Sequence, residues 1–163
     1  MLTQEFLNEQ KKTDEVYKEL VSIADDIVQK ASRPIDEIMS KLKNGFEEMS
    51  NRQLNDFMLQ LSIEAYYFGT KKDHAQLKQA CADALYKESF AKAYATAQGT
   101  QLNRQNQATI DGVEKQTVKM LYECTSNLMR TKLDETHRMI NVLNSAIISR
   151  NAEAKLNVKE EVY

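Results

Sequence analysis

Glycine and proline are scarce in this sequence, which has four Gly and one Pro among 163 residues. The tight turns of a many-stranded sheet usually need these residues, whereas Ala, Leu, Lys, Glu and Gln, which favour helix, are abundant. The composition therefore predicts an all-α fold and argues against all-β and α/β folds. We expect one domain over residues 1–163, because domains of roughly 100 to 200 residues are typical.

The first part of the chain predicts short amphipathic helices, because its apolar residues recur at intervals of three and four. A first helix over residues 4–31 ends before Pro34, which lacks an amide donor but is favourable in the first turn of a second helix. Ser50, with a glutamine three residues later, forms a capping-box signature that starts a third helix. Gly69 is the natural end of that helix. Residues 1–69 are thus predicted to form N-terminal short helices.

The remainder predicts a helical bundle built on a long antiparallel hairpin over residues 70–156, followed by a tail over residues 157–163. Helix four, the first arm, is about 25 residues long and rich in alanine. The polar segment 99–107 is either a connecting loop or the frayed start of helix five. Helix five keeps near-heptad spacing from Ile110 onward without a proline. Gly112 is its weak point, because an interior glycine costs about 1 kcal/mol against alanine.

The apolar stripe of helix five has two interpretations. It either fills the core of an intramolecular bundle or pairs with other copies of the chain, since a long amphipathic helix without enough partners leaves an apolar patch exposed. Both roles are compatible. The oligomer-interface hypothesis rests on five of its residues, Leu128, Leu133, Ile140, Leu143 and Ile147.

The sequence contains no pattern typical of catalysis. There is no phosphate-binding glycine-rich loop, no paired-histidine or paired-cysteine metal motif and no nucleophile elbow. His74 and His137 stand among polar neighbours, where a surface histidine is the commoner explanation, while Cys81 and Cys124 lie on apolar stripes and resemble small hydrophobic residues. We therefore expect a protein that is not an enzyme and that uses no cofactor or metal.

Cysteine content and hydropathy bear on location. Two cysteines cannot form a disulfide framework, and no apolar secretory stretch follows the first methionine. No apolar run approaches the roughly 18 to 20 residues that span a bilayer. The sequence therefore predicts a cytoplasmic protein without a membrane partner.

Charge is distributed unevenly along the chain. Residues 1–50 hold seven basic and eleven acidic residues, whereas residues 70–110 hold six basic and three acidic ones. Aromatic residues cluster in the same basic region, and lysines beside rings are what sequence-independent binding of single strands requires. The alternative is ordinary packing, because Tyr86, Phe90 and Tyr94 recur every four residues on one helix face.

The order of elements between Leu54 and Leu156 adds a family resemblance. An aromatic pair closes a helix at Ala65-Tyr66-Tyr67-Phe68-Gly69, an Ala/Lys/Tyr helix follows, and a Gly99-Thr100 turn precedes a long helix. This arrangement resembles the UvsY-type recombination mediators of phages. The resemblance implies a ring-forming accessory protein that binds single-stranded DNA and helps to load a recombinase onto strands covered by single-strand-binding protein. The positions carried over as nucleic-acid-binding candidates are Tyr67, Lys71, Lys72, Lys87, Lys92 and Arg104.

Two functions therefore remain in competition. The first is a cytoplasmic oligomeric accessory protein, in a bacterial host if a phage encodes it, whose partners are other copies of itself and either single-stranded DNA or a recombinase or single-strand-binding protein. The second is a phage-type inhibitor or adaptor that acts on a host protein without binding nucleic acid. A structural coiled-coil component of a larger particle is a third possibility.

Overall fold

A computed structural model describes the backbone of residues 4–160 and the side chains of residue 8 and residues 10–156. Three helices account for most of this part of the chain: α1 (Gln4–Gly45), α2 (Asn51–Thr96) and α3 (Gln101–Glu160). No strand occurs between residues 4 and 160. The all-α prediction is confirmed. None of the described helices has an apolar segment long enough to cross a membrane.

The prediction of five helices, with a separate hairpin of helices four and five, is wrong. Predicted helices one and two form the single helix α1, which continues through Pro34, and predicted helices three and four form α2, which continues through Gly69. The side chains beside the expected breaks are deeply buried, with Ile35 and Phe68 each 1% exposed. Their burial outweighs the local preference of proline and glycine to end a helix.

Helix α3 corresponds to predicted helix five and differs from it mainly at its two ends. α3 begins at Gln101, so most of the polar segment 99–107 is helical rather than a loop. It continues through Gly112 to Glu160. The predicted tail over residues 157–163 is therefore helical as far as Glu160, and its last three residues lie outside the described part of the chain.

The two turns between helices are defined by local hydrogen bonds. The Ser50 amide donates to Gln53 Oε1 at 2.8 Å, and the Gln53 amide donates to Ser50 Oγ at 3.3 Å, which is the predicted capping box. Between α2 and α3, Gly99 has a φ of +102°, a left-handed conformation that glycine adopts without strain. These two turns, rather than Pro34 and Gly69, separate the helices.

The described residues form two compact units, and each helix contributes to both. Unit 1 contains the described residues up to Gln29 together with residues 72–128, and unit 2 contains residues 30–71 together with the described residues from Met129 onward. The largest fully buried hydrophobic side chains all belong to unit 2: Phe68, Ile35, Leu42, Leu54, Leu61 and Leu143. The buried hydrophobic residues of unit 1 are Ala24, Val28, Ala75, Ala82 and Ala108. Large side chains therefore fill unit 2, whereas the core of unit 1 is built mainly of alanine.

Unit 2 has a simple helix order. Lys71 of α2 reaches Ala31 of α1, so these two helices run antiparallel toward the turn that joins them. Lys132 of α3 pairs with Asp36. Further along both helices, the Arg150 guanidinium of α3 donates to the carbonyl of Phe46 of α1 at 3.2 Å. Within unit 2, α1 and α3 are therefore parallel.

In unit 1 the second half of α2 and the first half of α3 run antiparallel. Three contacts show the order: the Arg104 guanidinium lies over Tyr94 at 4.4 Å, Tyr86 stands against Gly112, and Lys119 pairs with Asp83. Gly112 is required here, because a Cβ at this position would lie 2.8 Å from Tyr86 Cε2. Among the described side chains of α1, all those up to Glu19 are exposed.

Candidate protein-binding groove

An apolar groove lies between α1 and α3 within unit 2. Its volume is about 620 Å³, and it is lined by Asp36, Met39, Ser40, Leu42, Lys43, Phe46, Met139 and Val142. The α1 residues recur at intervals of three and four, so they share one side of that helix. They span eleven residues, from Asp36 to Phe46, or about 15 Å along the helix axis at 1.5 Å per residue.

Two methionines, one on each helix, form the walls of this groove. Met39 and Met139 are half-buried, and Val142 is 52% exposed at the edge. Methionine is unbranched and polarisable, so it adapts to apolar partners of different shapes. The walls can therefore accept apolar side chains from another molecule.

Arg150 of α3 contacts the end of α1 at Phe46, one of the residues that line the groove. Its guanidinium lies 5.8 Å from the centre of the Phe46 ring and donates to the carbonyls of Met49 and Phe46. A guanidinium that faces a ring and two carbonyls restrains the end of α1 through several contacts at once. The apolar surface around Phe46 is thus preformed.

Asp36 fixes the opposite end of the groove. Its Oδ2 accepts a hydrogen bond from Ser32 Oγ at 2.6 Å, and its Oδ1 accepts one from Lys132 Nζ at 2.5 Å. Lys43 lies nearer the Phe46 end and is exposed. The groove therefore carries an anchored carboxylate toward one end and an exposed ammonium toward the other.

The predicted nucleic-acid residues of unit 2 have other contacts. Lys71 Nζ donates to the main-chain carbonyl of Ala31 at 3.0 Å. Tyr67 is 58% exposed, and its ring meets the edge of Tyr66 at 5.6 Å. Tyr67 is thus accessible, whereas the Lys71 ammonium already has an acceptor.

The four predicted nucleic-acid residues of unit 1 also have partners. Lys72 pairs with Asp73 at 3.1 Å and Lys87 with Asp83 at 2.7 Å, while Lys92 pairs with Glu88. The Arg104 guanidinium donates to the carbonyl of Tyr94 at 2.9 and 3.0 Å. Each cation is therefore engaged within unit 1, and the six candidates do not belong to one compact unit.

Electrostatics in unit 1 centre on Asp83. The ammonium groups of Lys119, 2.6 Å from Asp83 Oδ1, and of Lys87, 2.7 Å from Oδ2, hold the pKa of the Asp83 carboxyl below its ordinary value of 3.8. The same contact with Asp83 raises the pKa of Lys119 above its usual 10.5. Burial, and secondarily Asp25, raises the pKa of the Cys124 thiol. These shifts come from ion pairs and burial that maintain the structure.

The predicted oligomer-interface residues divide into two groups. Leu143 and Ile147 are buried in unit 2, so they fill the intramolecular role that the sequence left open. Leu128, Leu133 and Ile140 are half-buried. The buried pair does not offer a surface to a second chain.

The groove was not predicted from the sequence, although an apolar stripe runs along α1 from Ile35 to Met49. Ile35, Ile38 and Leu42 are indeed buried, but Met39 and Phe46 are only half-buried and line the groove. The sequence did contain an indication of the groove in the width of this apolar stripe. Apolar residues on two adjacent ridges of α1 cover more surface than one packing contact needs to bury.

No family model, curated protein or solved structure matches this chain. The resemblance to UvsY-type mediators therefore stays a prediction, and the proposals below rest on the chain's own geometry.

Proposed function

We propose that this chain is a non-enzymatic adaptor whose unit 2 groove binds an amphipathic helix of a partner protein. The observation that carries the proposal is the open apolar channel between α1 and α3, with a methionine on each wall. Helix-in-groove recognition uses such a channel, because apolar side chains on successive turns of the ligand helix enter it together.

The dimensions of the groove favour a helix. Its lining extends over about 15 Å of α1, which is close to three helical turns. A helix with leucines at intervals of three and four places three or four side chains along that length. Docked beside α1 and α3, it would complete a local four-helix arrangement in unit 2.

Charge gives the ligand helix a preferred direction. A basic residue on the ligand would lie near Asp36, whose side chain stays 44% exposed in its pair with Lys132, and an acidic residue would lie near the exposed ammonium of Lys43. Reversal of the ligand would bring like charges together, which disfavours the wrong orientation. The proposed partner is therefore an amphipathic helix with an apolar face flanked by one basic and one acidic end.

The test uses a synthetic peptide of about four helical turns with leucines on one face and these two end charges. Methionine methyl groups are labelled with ¹³C in the full chain, and peptide is added while the methyl resonances are followed. We expect the Met39 and Met139 signals to shift, with the Met120 signal of unit 1 unchanged.

Two matched variants assign the binding to the groove. Val142→Glu introduces a charge at the groove edge, and Ile148→Glu introduces the same charge at an exposed α3 position outside the groove lining. The first should weaken peptide binding about tenfold or more and the second should leave it unchanged. Equal affinities for the two variants, or no shift at Met39 and Met139, would refute the proposal.

Binding of single-stranded DNA is the second candidate. The observation in its favour is that Lys87 and Lys92 are 73% and 74% exposed in their ion pairs. Such exposed pairs contribute only about 0 to 1 kcal/mol, so phosphate oxygens can compete for these ammonium groups.

A fluorescence anisotropy measurement with a labelled oligonucleotide separates the two candidates. If the chain binds single-stranded DNA, its affinity for the oligonucleotide should fall as the salt concentration rises. The double variant Lys87→Glu/Lys92→Glu should lose this binding, whereas the control variant Lys41→Glu in unit 2 should retain it. The adaptor proposal predicts no binding at low salt.

A further inference from the structure

An exposed, uncharged strip runs along the first half of α3 in unit 1. Its members are spaced alternately four and three residues apart, and all are exposed: Leu102, Asn106, Thr109, Val113, Gln116 and Met120. Alternating intervals of four and three keep a seam on one side of a helix, which is the pattern of a coiled-coil contact. The next position in the series is Glu123, where charged residues begin.

This strip points away from the helix partner of its own chain. α3 packs on α2 through Ala108 and Gly112, both buried, and through Lys119. Val113 in the strip is 51% exposed, and Ile110 beside it is 66% exposed. The strip, apolar at Leu102, Val113 and Met120 and uncharged throughout, therefore lies on the surface of the described chain.

We propose that the strip binds the same strip of a second copy, in antiparallel orientation, with the two-fold axis near Asp111. An isologous contact places one surface on itself, so its residues must match under the two-fold. Around Asp111, Leu102 faces Met120 and Asn106 faces Gln116. Thr109 faces Val113, so long apolar, carboxamide and β-branched side chains each meet one of their own kind.

The pairing is chemically consistent along its length. Leu102 and Met120 bury apolar surface at both ends, and the facing amides of Asn106 and Gln116 can each donate and accept a hydrogen bond. The absence of charge from all six positions means that no like charges meet when the strip contacts itself. A partner with a strongly charged surface would find no complementary charge on this strip.

The composition of unit 1 supports a second copy as the occupant. Among the described residues of unit 1, the buried hydrophobic ones are mainly alanine, whose small side chains remove little apolar surface from water. Two α2–α3 pairs joined through the strips would form a four-helix arrangement with a larger core. This inference uses α3 residues of unit 1 and does not depend on the groove of unit 2.

The first experiment measures the mass of the full chain by sedimentation equilibrium across a range of concentrations. We expect the mass to rise from 18.7 kDa toward twice that value. Val113→Glu should weaken the dimer about tenfold or more, because it introduces a charge opposite Thr109 twice in each dimer. Val118→Glu, at a similarly exposed position outside the strip, should leave the dimer intact.

The second experiment tests the antiparallel register. Asn106→Glu/Gln116→Lys places opposite charges face to face in the proposed pairing and should preserve the dimer. Asn106→Glu/Gln116→Glu places like charges face to face and should dissociate it. Circular dichroism should show the same helix content for all variants, because the substituted positions are exposed.

Several outcomes would overturn the proposal. These are a monomer at the highest concentration, a dimer that survives Val113→Glu, and equal weakening by the two double variants. The last result would indicate a parallel pairing, in which both double variants bring like charges together. If Val142→Glu loses peptide binding but still forms the dimer, the dimer proposal is unaffected. The dimer proposal and the groove proposal can therefore be refuted independently.

Discussion

The ammonium of Lys71 in α2 donates a hydrogen bond of 3.0 Å to the carbonyl of Ala31 in α1, in the helical turn that precedes Pro34. Proline provides no amide for the carbonyl four residues earlier, and its ring pushes that turn open. The carbonyl that finds no amide at position 34 is that of Lys30, next to Ala31, so Lys71 adds a side-chain donor within the turn that the proline ring opens. This contact, together with the burial of Ile35, helps α1 to continue through a residue that was predicted to end it.

Replacement of the proline tests this explanation. Pro34→Ala should stabilise the chain by about 2 to 3 kcal/mol, because it restores an amide donor and removes the ring from the helix interior. Lys71→Met should destabilise the parent chain by about 0.5 to 1 kcal/mol. In the Pro34→Ala background the effect of Lys71→Met should be smaller. Urea unfolding of the four proteins measures this coupling, and additive effects would contradict it.

Substitution of alanine for two helical glycines should change the stability of the chain in opposite directions. At Gly69 an added Cβ would meet its nearest neighbour, Leu133 Cδ2, at an ordinary 4.0 Å. Gly69→Ala should therefore stabilise the chain by about 1 kcal/mol through helix propensity. At Gly112 the added Cβ would lie 2.8 Å from Tyr86, so Gly112→Ala should lower the free energy of unfolding by about 1 kcal/mol.

The Tyr86 contact can be separated from the general effect of the substitution at Gly112. In a Tyr86→Ala background, Gly112→Ala should become stabilising, because only the helix-propensity gain remains. Denaturant titrations of the single and double variants provide the comparison. Stabilisation by Gly112→Ala in the parent chain would show that the ring imposes no constraint.

The ion pair between Asp83 and Lys119 should make stability depend on pH. The pKa of Asp83 is lowered from 3.8 in the folded chain, so its contribution is present above that pH and is lost as pH falls through the folded value. The pKa of Lys119 is raised from 10.5, so its contribution is present below that pH and is lost as pH rises through the folded value.

Thermal melts of the parent chain and Asp83→Asn should therefore differ most at neutral pH and converge in strong acid. Asp73→Asn is a suitable control, because Asp73 is 67% exposed in its pair with Lys72 and should change the melting temperature less. A constant difference between the parent chain and Asp83→Asn across the acid range would contradict the assigned ion pair.

The two cysteines should differ in reactivity. Cys81 is exposed, whereas Cys124 is half-buried and its thiol pKa is raised by burial and by Asp25. Because the thiolate is the reactive form, a thiol reagent at neutral pH should modify Cys81 before Cys124. Mass spectrometry of Cys81→Ser and Cys124→Ser measures the two rates separately, and equal rates would contradict this order. Asp25→Asn should accelerate the reaction of Cys124.

The parts of the fold that the sequence predicts are those with short-range causes. The Ser50–Gln53 capping box needs only residues three apart, and it stands at the start of α2. The helix ends predicted at Pro34 and Gly69 were wrong because the preference of these residues to end a helix is local. The burial of Ile35 and Phe68, which favours continuous helices, depends on packing against helices distant in the chain.

The groove and the strip on α3 required the structure for related reasons. The groove needs Met39 of α1 and Met139 of α3 in one lining, and no periodicity within either helix indicates that these two residues meet at the same site. The strip begins in the polar segment 99–107, so it becomes one continuous surface only if that segment is helical. Helix periodicity alone identifies apolar faces, but partner helices determine which face remains open.

The unequal cores have a consequence for the lifetimes of individual backbone hydrogen bonds. Leucine, isoleucine and phenylalanine anchor unit 2, whereas unit 1 relies mainly on alanine. Local opening is easier where fewer apolar contacts are broken, so amide protons of unit 1 should exchange with solvent before those of unit 2. Since α1, α2 and α3 each contribute to both units, a single continuous helix in this protein should carry slowly exchanging amides over one part of its length and rapidly exchanging amides over the other.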